Sequence, residues 1–142
     1  MSDRVSLMGN RSYRVATAAS GSDDVDFLDG VDTKGARHVG IAVWLGAFAY
    51  SATNKLKFTL KDSDSTTAST YADVDEDLID GDPLDDGELF EQTSAVTAPG
   101  IVRKFNYKGS KRYLRIGMDE TGTTTGSIVA FVELGTPREQ PA

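Results

Sequence analysis

The residues of this chain that are best suited to bind a metal ion lie in an acidic stretch near its middle. Asp73, Asp75 and Asp77 stand at alternate positions, which is the spacing of the first ligands of an EF-hand calcium loop. The match ends there, because Leu78 stands where the sharp turn needs Gly and Leu84 stands where the loop needs a bidentate Glu. The three aspartates therefore remain a candidate only for a Ca²⁺ site of irregular geometry.

Further carboxylates in the same stretch leave two interpretations open. Hard cations accept irregular cages of oxygen ligands, so other Ca²⁺ sites are compatible with the sequence. The alternative is a hydrated loop whose charge keeps the protein soluble. The carboxylates available for such a cage are Asp80, Asp82, Asp85, Asp86 and Glu88.

Residues that would support catalysis are scarce. His38 is the single histidine and stands at the start of an apolar run, where an ordinary role at the end of a strand is expected. The chain has no cysteine, so it has no thiolate, no disulfide and no Cys ligand for zinc. It also contains no phosphate-binding, nucleophile-elbow or metalloprotease motif. We therefore expect no catalytic residue, no cofactor and no enzymatic activity.

A basic stretch near the end of the chain is the leading candidate for binding a partner. Six of the thirteen residues from 103 to 115 are Lys or Arg and none is acidic, although the whole chain has a net charge of −7. Tyr107 and Tyr113 flank its centre, which we predict to be a tight turn between two strands of one hairpin. The candidate partner-binding residues are Arg103, Lys104, Lys108, Lys111, Arg112 and Arg115.

Opposite charges are segregated along the chain. Residues 62–91 carry twelve acidic side chains and no Lys or Arg, and residues 92–118 reverse this pattern. One interpretation is that the molecule neutralises its own basic edge, with Arg112 or Arg115 paired to the acidic loop. The other is that two complementary faces dock on a partner or on further copies of the chain. Nucleic acid is not an expected partner, because phosphate contacts need a basic footprint and the whole chain is acidic.

The elements that would position these residues are short strands. Polar and apolar residues alternate from Tyr13 to Thr17 and from Lys55 to Asp62. The run from Val39 to Leu45 is apolar on both faces, which is typical of a central strand. Further strands are predicted at about 70–74, 88–95, 101–107, 111–118 and 127–134, with turns at 30–35 and 98–100 and an acidic loop at 75–87.

About seven to nine strands at intervals of roughly 8–12 residues predict an all-β protein. We expect a single-domain antiparallel β-sandwich or jelly-roll-like barrel with one long acidic loop, covering residues 1–142. The polar ends, at about 1–11 and 135–142, are predicted to be flexible arms. The apolar run at 41–50 is too short to span a bilayer and the opening residues do not look like a secretory signal, so no membrane association is expected.

Several short motifs together resemble a family of virion proteins. A D-T-x-G turn occupies residues 32–35, and a strand at 56–64 runs into a polar loop. A Tyr-x-Gly-x-Lys-Arg-Tyr-x-Arg pattern follows at 107–115, and the last apolar strand ends in Gly-x-Pro at 135–137. From 32 to 137 the chain resembles the small auxiliary head proteins of tailed bacteriophages, which are encoded beside the major capsid protein and decorate or cement the capsid.

The resemblance implies a structural role without catalytic residues. It implies a protein made in the host cytoplasm that binds the outer surface of an icosahedral phage head and stabilises the virion. The implied partners are the major capsid protein and further copies of the chain, with a trimer as one arrangement. Two alternatives stay open. One is another virion component, such as a head spike, neck or tail protein, and the other is a carbohydrate- or cell-surface-binding β-sandwich that would use exposed Phe48, Tyr50 and Tyr71.

Overall fold

Two antiparallel sheets contain almost all of the regular structure. The structure is a computed structural model that describes residues 11–18, 25–34, 36 and 38–135, with side chains from residue 30 onward. The predicted terminal arms lie almost wholly outside these residues. The strands are β1 (Arg11–Ala18), β2 (Val25–Asp32), β3 (His38–Leu45), β4 (Lys55–Ser63), β5 (Ala72–Asp73), β6 (Ile79–Asp80), β7 (Glu88–Gln92), β8 (Ile101–Tyr107), β9 (Tyr113–Thr121) and β10 (Ile128–Gly135).

The strand order is that of a jelly roll. Sheet A has the order β1-β10-β3-β8-β6, and sheet B has the order β2-β9-β4-β5 with β7 also paired to β4. Every neighbouring pair is antiparallel. Apart from the two-residue strands β5 and β6, successive strands alternate between the sheets except at β4 and β7, which pair with each other. This is the arrangement of the double-sheet jelly roll, and it confirms the antiparallel β-sandwich predicted from the sequence.

Apolar residues alternate with more exposed ones along the strands, so one face of each sheet is apolar and packs in the core. In β4 the side chains of Leu56, Phe58 and Leu60 are fully buried, whereas the residues between them are partly exposed. Strand β3 lies at the centre of sheet A and adds Ile41 and Val43 to the same core. Burial of each such side chain contributes about 1.5–3 kcal/mol. The predictions of a half-buried β4 and a central β3 are therefore confirmed.

The basic stretch does not form a hairpin. Strand β8 lies in sheet A beside β3, whereas β9 lies in sheet B between β2 and β4. Tyr107 is opposite Ile79 and Tyr113 is opposite Ser63, so the two tyrosines do not pair. The hairpin prediction is wrong because the five residues 108–112, which we name the crossover loop, pass from one sheet to the other. The apolar faces of β8 and β9 can then meet across the core, which two strands of one sheet cannot do.

The sequence does not predict strand β2, whose last residues look like part of a turn. Its pairing with β9 shifts register between Asp26 and Leu28 and again between Leu28 and Val31. Gly30 has a φ of 68°, a backbone conformation that favours glycine. These irregularities remove the alternation by which a strand is recognised. The turn that was predicted from residue 30 therefore begins only after Asp32.

The acidic loop is attached to the sandwich. It contains a 3₁₀ turn at Glu76–Leu78 and the two-residue strand β6, which pairs with β8 in sheet A. Ile79 is buried in the core, and Val74 is buried just before the loop. Within the described residues no helix is long and apolar enough to cross a membrane.

Phe58 provides a test of the core. Its ring stacks on Phe90 at a centroid distance of 4.9 Å, and the side chain is fully buried. We expect Phe58→Ala to lower the free energy of unfolding by about 3–5 kcal/mol, because the lost contacts leave a cavity. Urea denaturation measures the loss. The control is Thr59→Ala at the next position, which faces outward and should change stability by about 0.5 kcal/mol or less. Equal losses would contradict the assignment of inward and outward faces.

Candidate functional site

The crossover loop is clamped at one end of the sandwich. Thr33 lies beside it, and its backbone N–H donates to the carbonyl oxygen of Arg112 at 2.7 Å. The Thr33 hydroxyl donates to the carbonyl oxygens of Arg112 and Lys111 at 2.7 and 3.2 Å. At the other end of the loop the N–H of Lys108 donates to the carbonyl oxygen of Leu78 at 2.7 Å. The loop is therefore held by the segment after β2 and by the segment before β6.

A buried hydrogen-bond network fixes the base of the crossover loop. The Tyr107 hydroxyl donates to Oδ2 of Asp62 on β4 at 2.6 Å and accepts from the N–H of Lys111 at 3.2 Å. Tyr107 and Asp62 are 5% and 9% exposed. Burial, together with the hydrogen bond to Asp62, raises the pKa of Tyr107, so the phenol stays protonated and remains a donor. A side-chain carbon at Gly109 would lie 2.4 Å from the Tyr107 hydroxyl oxygen, so this close approach requires glycine.

An open cleft of about 400 Å³ lies beside the crossover loop. Thr33, Ala36, Val39 and Tyr107 form part of its lining. The remaining lining comes from the loop itself and from the turn after β2. Both contribute cations, and the four cationic residues around the cleft are Lys34, Lys108, Lys111 and Arg112.

Three of these four cations pair with carboxylates of the same chain. Arg112 makes a bidentate contact with Asp32, with Nε–Oδ1 at 2.9 Å and Nη2–Oδ2 at 2.8 Å. The hydrogen bonds from Arg112 and from the N–H of Lys34 lower the pKa of Asp32 to about 2. The other two ion pairs are Lys108–Asp80 at 3.0 Å and Lys111–Asp64 at 3.1 Å.

The charge pattern left open whether the molecule neutralises its own basic stretch or presents it to a partner. These ion pairs answer part of that question. The molecule does neutralise much of its basic stretch, but Arg112 pairs with Asp32 rather than with the acidic loop. The acidic loop instead supplies Asp80, which pairs with Lys108. All three pairs are roughly half exposed, so solvent screens them and each contributes little to stability. A carboxylate from a partner can therefore replace an internal one at small cost.

Lys34 is the one member of this cationic group that was not predicted. Its ammonium is outside the ion pairs found within the described part of the chain, and its charge helps to lower the pKa of Asp32. Lys34 and the crossover loop are far apart in sequence, and they meet because β2 and β9 are neighbours in sheet B. The distribution of charge along the sequence does not indicate this contact, because the contact depends on the pairing of the two strands.

The other three predicted partner-binding residues lie elsewhere. The guanidinium of Arg103 is 4.8 Å from the ring centroid of Phe90 and covers an edge of the core. Lys104 is exposed on the outer face of sheet A. Arg115 lies on sheet B with its guanidinium 4.0 Å from the ring centroid of Tyr71. The structure thus brings together Lys108, Lys111 and Arg112, and it does not bring the other three to the same surface.

The three aspartates proposed for an irregular Ca²⁺ site do not converge. Asp73 Oδ1 is 4.0 Å from the ammonium of Lys61. Asp75 Oδ1 accepts a hydrogen bond from the N–H of Asp77 at 2.9 Å, as a cap on the short 3₁₀ turn. Asp73 and Asp75 therefore have local roles in the positions that the structure shows.

A different group of carboxylates meets in the acidic loop. Oxygen atoms of Glu76, Asp85 and Asp86 lie within 4.8 Å of one another, and all three residues are exposed. Desolvation and the neighbouring negative charges of Asp86 and Asp85 raise the pKa of Glu76. Two of these residues were among the carboxylates left open by the sequence, whereas Glu76 was not. Exposed acidic groups of this kind are common without a metal ion.

The aromatic residues considered for a carbohydrate contact are covered by their neighbours. Tyr50 is 3% exposed, and the ring of Phe48 packs against it edge to face at 4.8 Å. Tyr71 lies beneath the guanidinium of Arg115. The exposed large apolar side chains in the described part of the chain are Leu78, Leu84 and Val102, none of which is aromatic.

Comparisons with known proteins bear on the fold. No protein-family model matches the chain, and no curated protein matches it in sequence. The PBSX exported protein XepA is similar with a TM-score of 0.51 and 15% identity, over 92% of this chain and 39% of that one. The SPBc2 prophage-derived protein YomS has a TM-score of 0.38, 11% identity and coverage of 87% and 93%. The CBM22-1 xylan-binding domain of Paenibacillus barcinonensis Xyn10C has a TM-score of 0.38 and 12% identity, over 91% of this chain and 88% of that one.

At these identities the similarity to solved structures shows a shared β-sandwich fold and nothing finer. XepA carries this conclusion, because the other two matches are too distant in structure to support an argument. The chain spans less than half of XepA, so the fold corresponds to one part of that protein.

The bond between Tyr107 and Asp62 can be tested by removing one hydroxyl group. We expect Tyr107→Phe to lower the free energy of unfolding by about 1–3 kcal/mol, because the buried Asp62 carboxylate loses its donor. Urea denaturation measures the loss. The matched control is Tyr113→Phe, since the Tyr113 hydroxyl lies outside this network, and its expected effect is about 0.5 kcal/mol or less. A negligible effect of Tyr107→Phe would contradict the anchoring role of the bond.

The low pKa of Asp32 predicts how the stability of the protein depends on pH. Its pKa is about 2 in the folded protein against an ordinary value of 3.8, so the unfolded chain binds the proton more readily. The stabilisation from Asp32 is therefore complete above about pH 4 and is lost as the pH falls through about 2. We expect the difference in Tm between wild type and Asp32→Asn to shrink over this interval, as measured by calorimetry. Asp82→Asn controls for removal of one exposed carboxylate. A difference that grows on acidification would contradict the assignment.

Proposed function

We propose that the protein is a structural virion protein that binds the outer surface of an icosahedral phage head and stabilises it. Its partner in this role is the major capsid protein, and the role requires no enzymatic activity. The observation that carries the proposal is the cation-rimmed cleft beside the crossover loop, on a protein whose net charge is −7. The choice of a phage head as the target comes from the resemblance of residues 32–137 to auxiliary head proteins.

The geometry of the cleft suits an acidic surface of a partner. The crossover loop is fixed by Thr33 and by the buried bond between Tyr107 and Asp62, so little conformational entropy is lost when a partner binds. Lys34 is outside the ion pairs found within the described residues, and Lys111 is in an exposed pair that exchanges readily. Each contact is weak alone, but many copies that bind a repeating lattice gain from multivalency.

The alternative of a carbohydrate-binding sandwich has less support. Its candidate rings at Phe48, Tyr50 and Tyr71 are at least partly covered, so none supplies an open aromatic platform. A neck, tail or spike protein would share the same sandwich and the same cleft. That alternative differs in the number of copies per particle, which can be counted.

Charge reversal at the cleft tests the proposal. We expect Lys34→Glu combined with Lys111→Glu to weaken binding to heads that lack the protein by about tenfold or more, because like charges then face an acidic surface. The measurement is the number of copies bound per head against free protein, at low and at physiological salt. The effect should be larger at low salt, since screening weakens contacts between exposed charges.

The matched control combines Lys55→Glu with Lys61→Glu on the outer face of sheet B, which makes the same change in net charge away from the cleft. Binding of this variant should stay close to that of the wild type. Equal loss in both variants would mean that net charge rather than the cleft governs binding. Saturation at about six or twelve copies per particle, instead of hundreds, would contradict a head-surface lattice and indicate the neck or tail.

A further inference from the structure

The end of the sandwich opposite the crossover loop contains a buried carboxylate. Strand β9 begins directly after the crossover loop and ends at Thr121, so Glu120 lies at its far end. The inward side chains earlier in β9 are Leu114, Ile116 and Met118, and Glu120 continues this row. Glu120 is only 9% exposed and is outside the ion pairs found within the described residues. A carboxylate in such a place needs partners that satisfy both of its oxygen atoms.

One oxygen of this carboxylate is satisfied by the loop that follows β9. Oε2 of Glu120 accepts a hydrogen bond from the N–H of Thr124 at 2.8 Å and another from the Thr124 hydroxyl. Thr124 is 1% exposed, so both donors lie inside the protein. The other oxygen, Oε1, is closed to solvent and has no hydrogen-bond partner among the described residues. One acceptor of Glu120 therefore still needs a donor.

A second buried group, the hydroxyl of Tyr50, lies close to this carboxylate. Tyr50 is 3% exposed, and its hydroxyl also has no hydrogen-bond partner among the described residues. Gly126, two residues after Thr124, packs on this hydroxyl, because a side-chain carbon at Gly126 would lie 2.9 Å from the hydroxyl oxygen. Burial, together with the charge of Glu120, raises the pKa of Tyr50. The phenol therefore keeps its proton and needs an acceptor.

The two groups are complementary but do not bond directly to each other. The Tyr50 hydroxyl lacks an acceptor, whereas Oε1 of Glu120 lacks a donor. A molecule that bonds to both must accept one hydrogen bond and donate another. It must also be small, since neither oxygen is open to solvent. Water meets these conditions, because buried water molecules bond to polar groups that otherwise have no partner inside the protein.

We propose that Tyr50 and Glu120 bind one buried water molecule between them. The water accepts a hydrogen bond from the Tyr50 hydroxyl and donates one to Oε1 of Glu120. A metal cation fits the same pair less well, because it would bind a lone pair of the phenol and leave the hydroxyl proton without an acceptor. The site lies at the other end of the sandwich from the cleft, and it does not depend on the proposed binding to a phage head.

The water links two loops at this end of the sandwich. Tyr50 belongs to the segment between β3 and β4, whereas Glu120 holds the loop between β9 and β10 through Thr124. The same two segments are joined nearer the surface, where the N–H of Thr123 donates to Oδ1 of Asn54 at 3.0 Å. The buried water adds a second link between them at the level of the core.

A crystal structure of the full chain at high resolution tests the site directly. The expected result is one water oxygen at about 2.5–3.0 Å from both the Tyr50 hydroxyl and Oε1 of Glu120. A direct bond between the two side chains, with no density between them, would overturn the proposal. Density surrounded by about six oxygen atoms would also overturn it, because that coordination indicates a metal ion.

Removal of the Tyr50 hydroxyl shows whether this group is satisfied in solution. We expect Tyr50→Phe to lower the Tm by about 3–8 °C, because the water loses its donor and no longer satisfies Glu120 fully. A hydroxyl buried without any partner gives the opposite sign, since its removal eliminates an unsatisfied group. An unchanged or raised Tm would therefore contradict the proposal. The control is Tyr113→Phe on a partly exposed ring, which should change the Tm by about 2 °C or less.

Salts distinguish water from a bound cation. We expect the wild-type Tm to be equal in sodium, potassium, calcium and tetramethylammonium chloride at the same ionic strength, because no metal ion occupies the site. A rise in one metal salt that disappears in Glu120→Gln would assign the site to that cation instead. Circular dichroism confirms that each variant is folded. Tyr50→Phe should bind phage heads like the wild type well below its Tm, so failure of this proposal is distinguishable from failure of head binding.

Discussion

The hydrogen bond between Tyr107 and Asp62 links the two sheets at the point where the chain crosses from one to the other. It joins the last residue of β8 in sheet A to β4 in sheet B, in a site where neither group is open to water. Without a hydrogen-bond donor, the buried Asp62 carboxylate would lower the free energy of unfolding. The loss would be a substantial part of the stability of a small domain. The geometry of the crossover loop follows from this bond, because the same hydroxyl accepts from Lys111 and packs against Gly109.

The surfaces available to a partner depend on which charged side chains are already paired within the sandwich. Sheet B pairs its outward lysines with glutamates, and Arg103 uses its guanidinium to cover the ring of Phe90 at the edge of the core. The cleft with Lys34 is a region in which one cation lies outside the ion pairs of the described residues. Under the proposed function this cleft contacts a repeating lattice, and many weak contacts of that kind gain strength from multivalency without any single strong contact.

The sequence predicted the β-sandwich and several strands, because alternation in β4 and the apolar run of β3 are local signals of burial. It did not predict β2, where register shifts disrupt the alternation, or the crossing of the basic stretch between sheets. The candidate site was found in part. Lys108, Lys111 and Arg112 are neighbours in sequence, whereas Lys34 joins them only through the pairing of distant strands. Equally, counting charges could not show that Arg103 and Arg115 lie over aromatic rings.

The central claim is that the cleft beside the crossover loop contacts the head. Lysine footprinting tests it most directly, by comparing the acylation of each ammonium group in the free and the head-bound protein with mass spectrometry. The account predicts that the reactivity of Lys34 and Lys111 falls strongly on binding, while that of Lys55 and Lys57 on sheet B is unchanged. Unchanged reactivity of Lys34 and Lys111 in the bound protein, with shielding on sheet B instead, would contradict it.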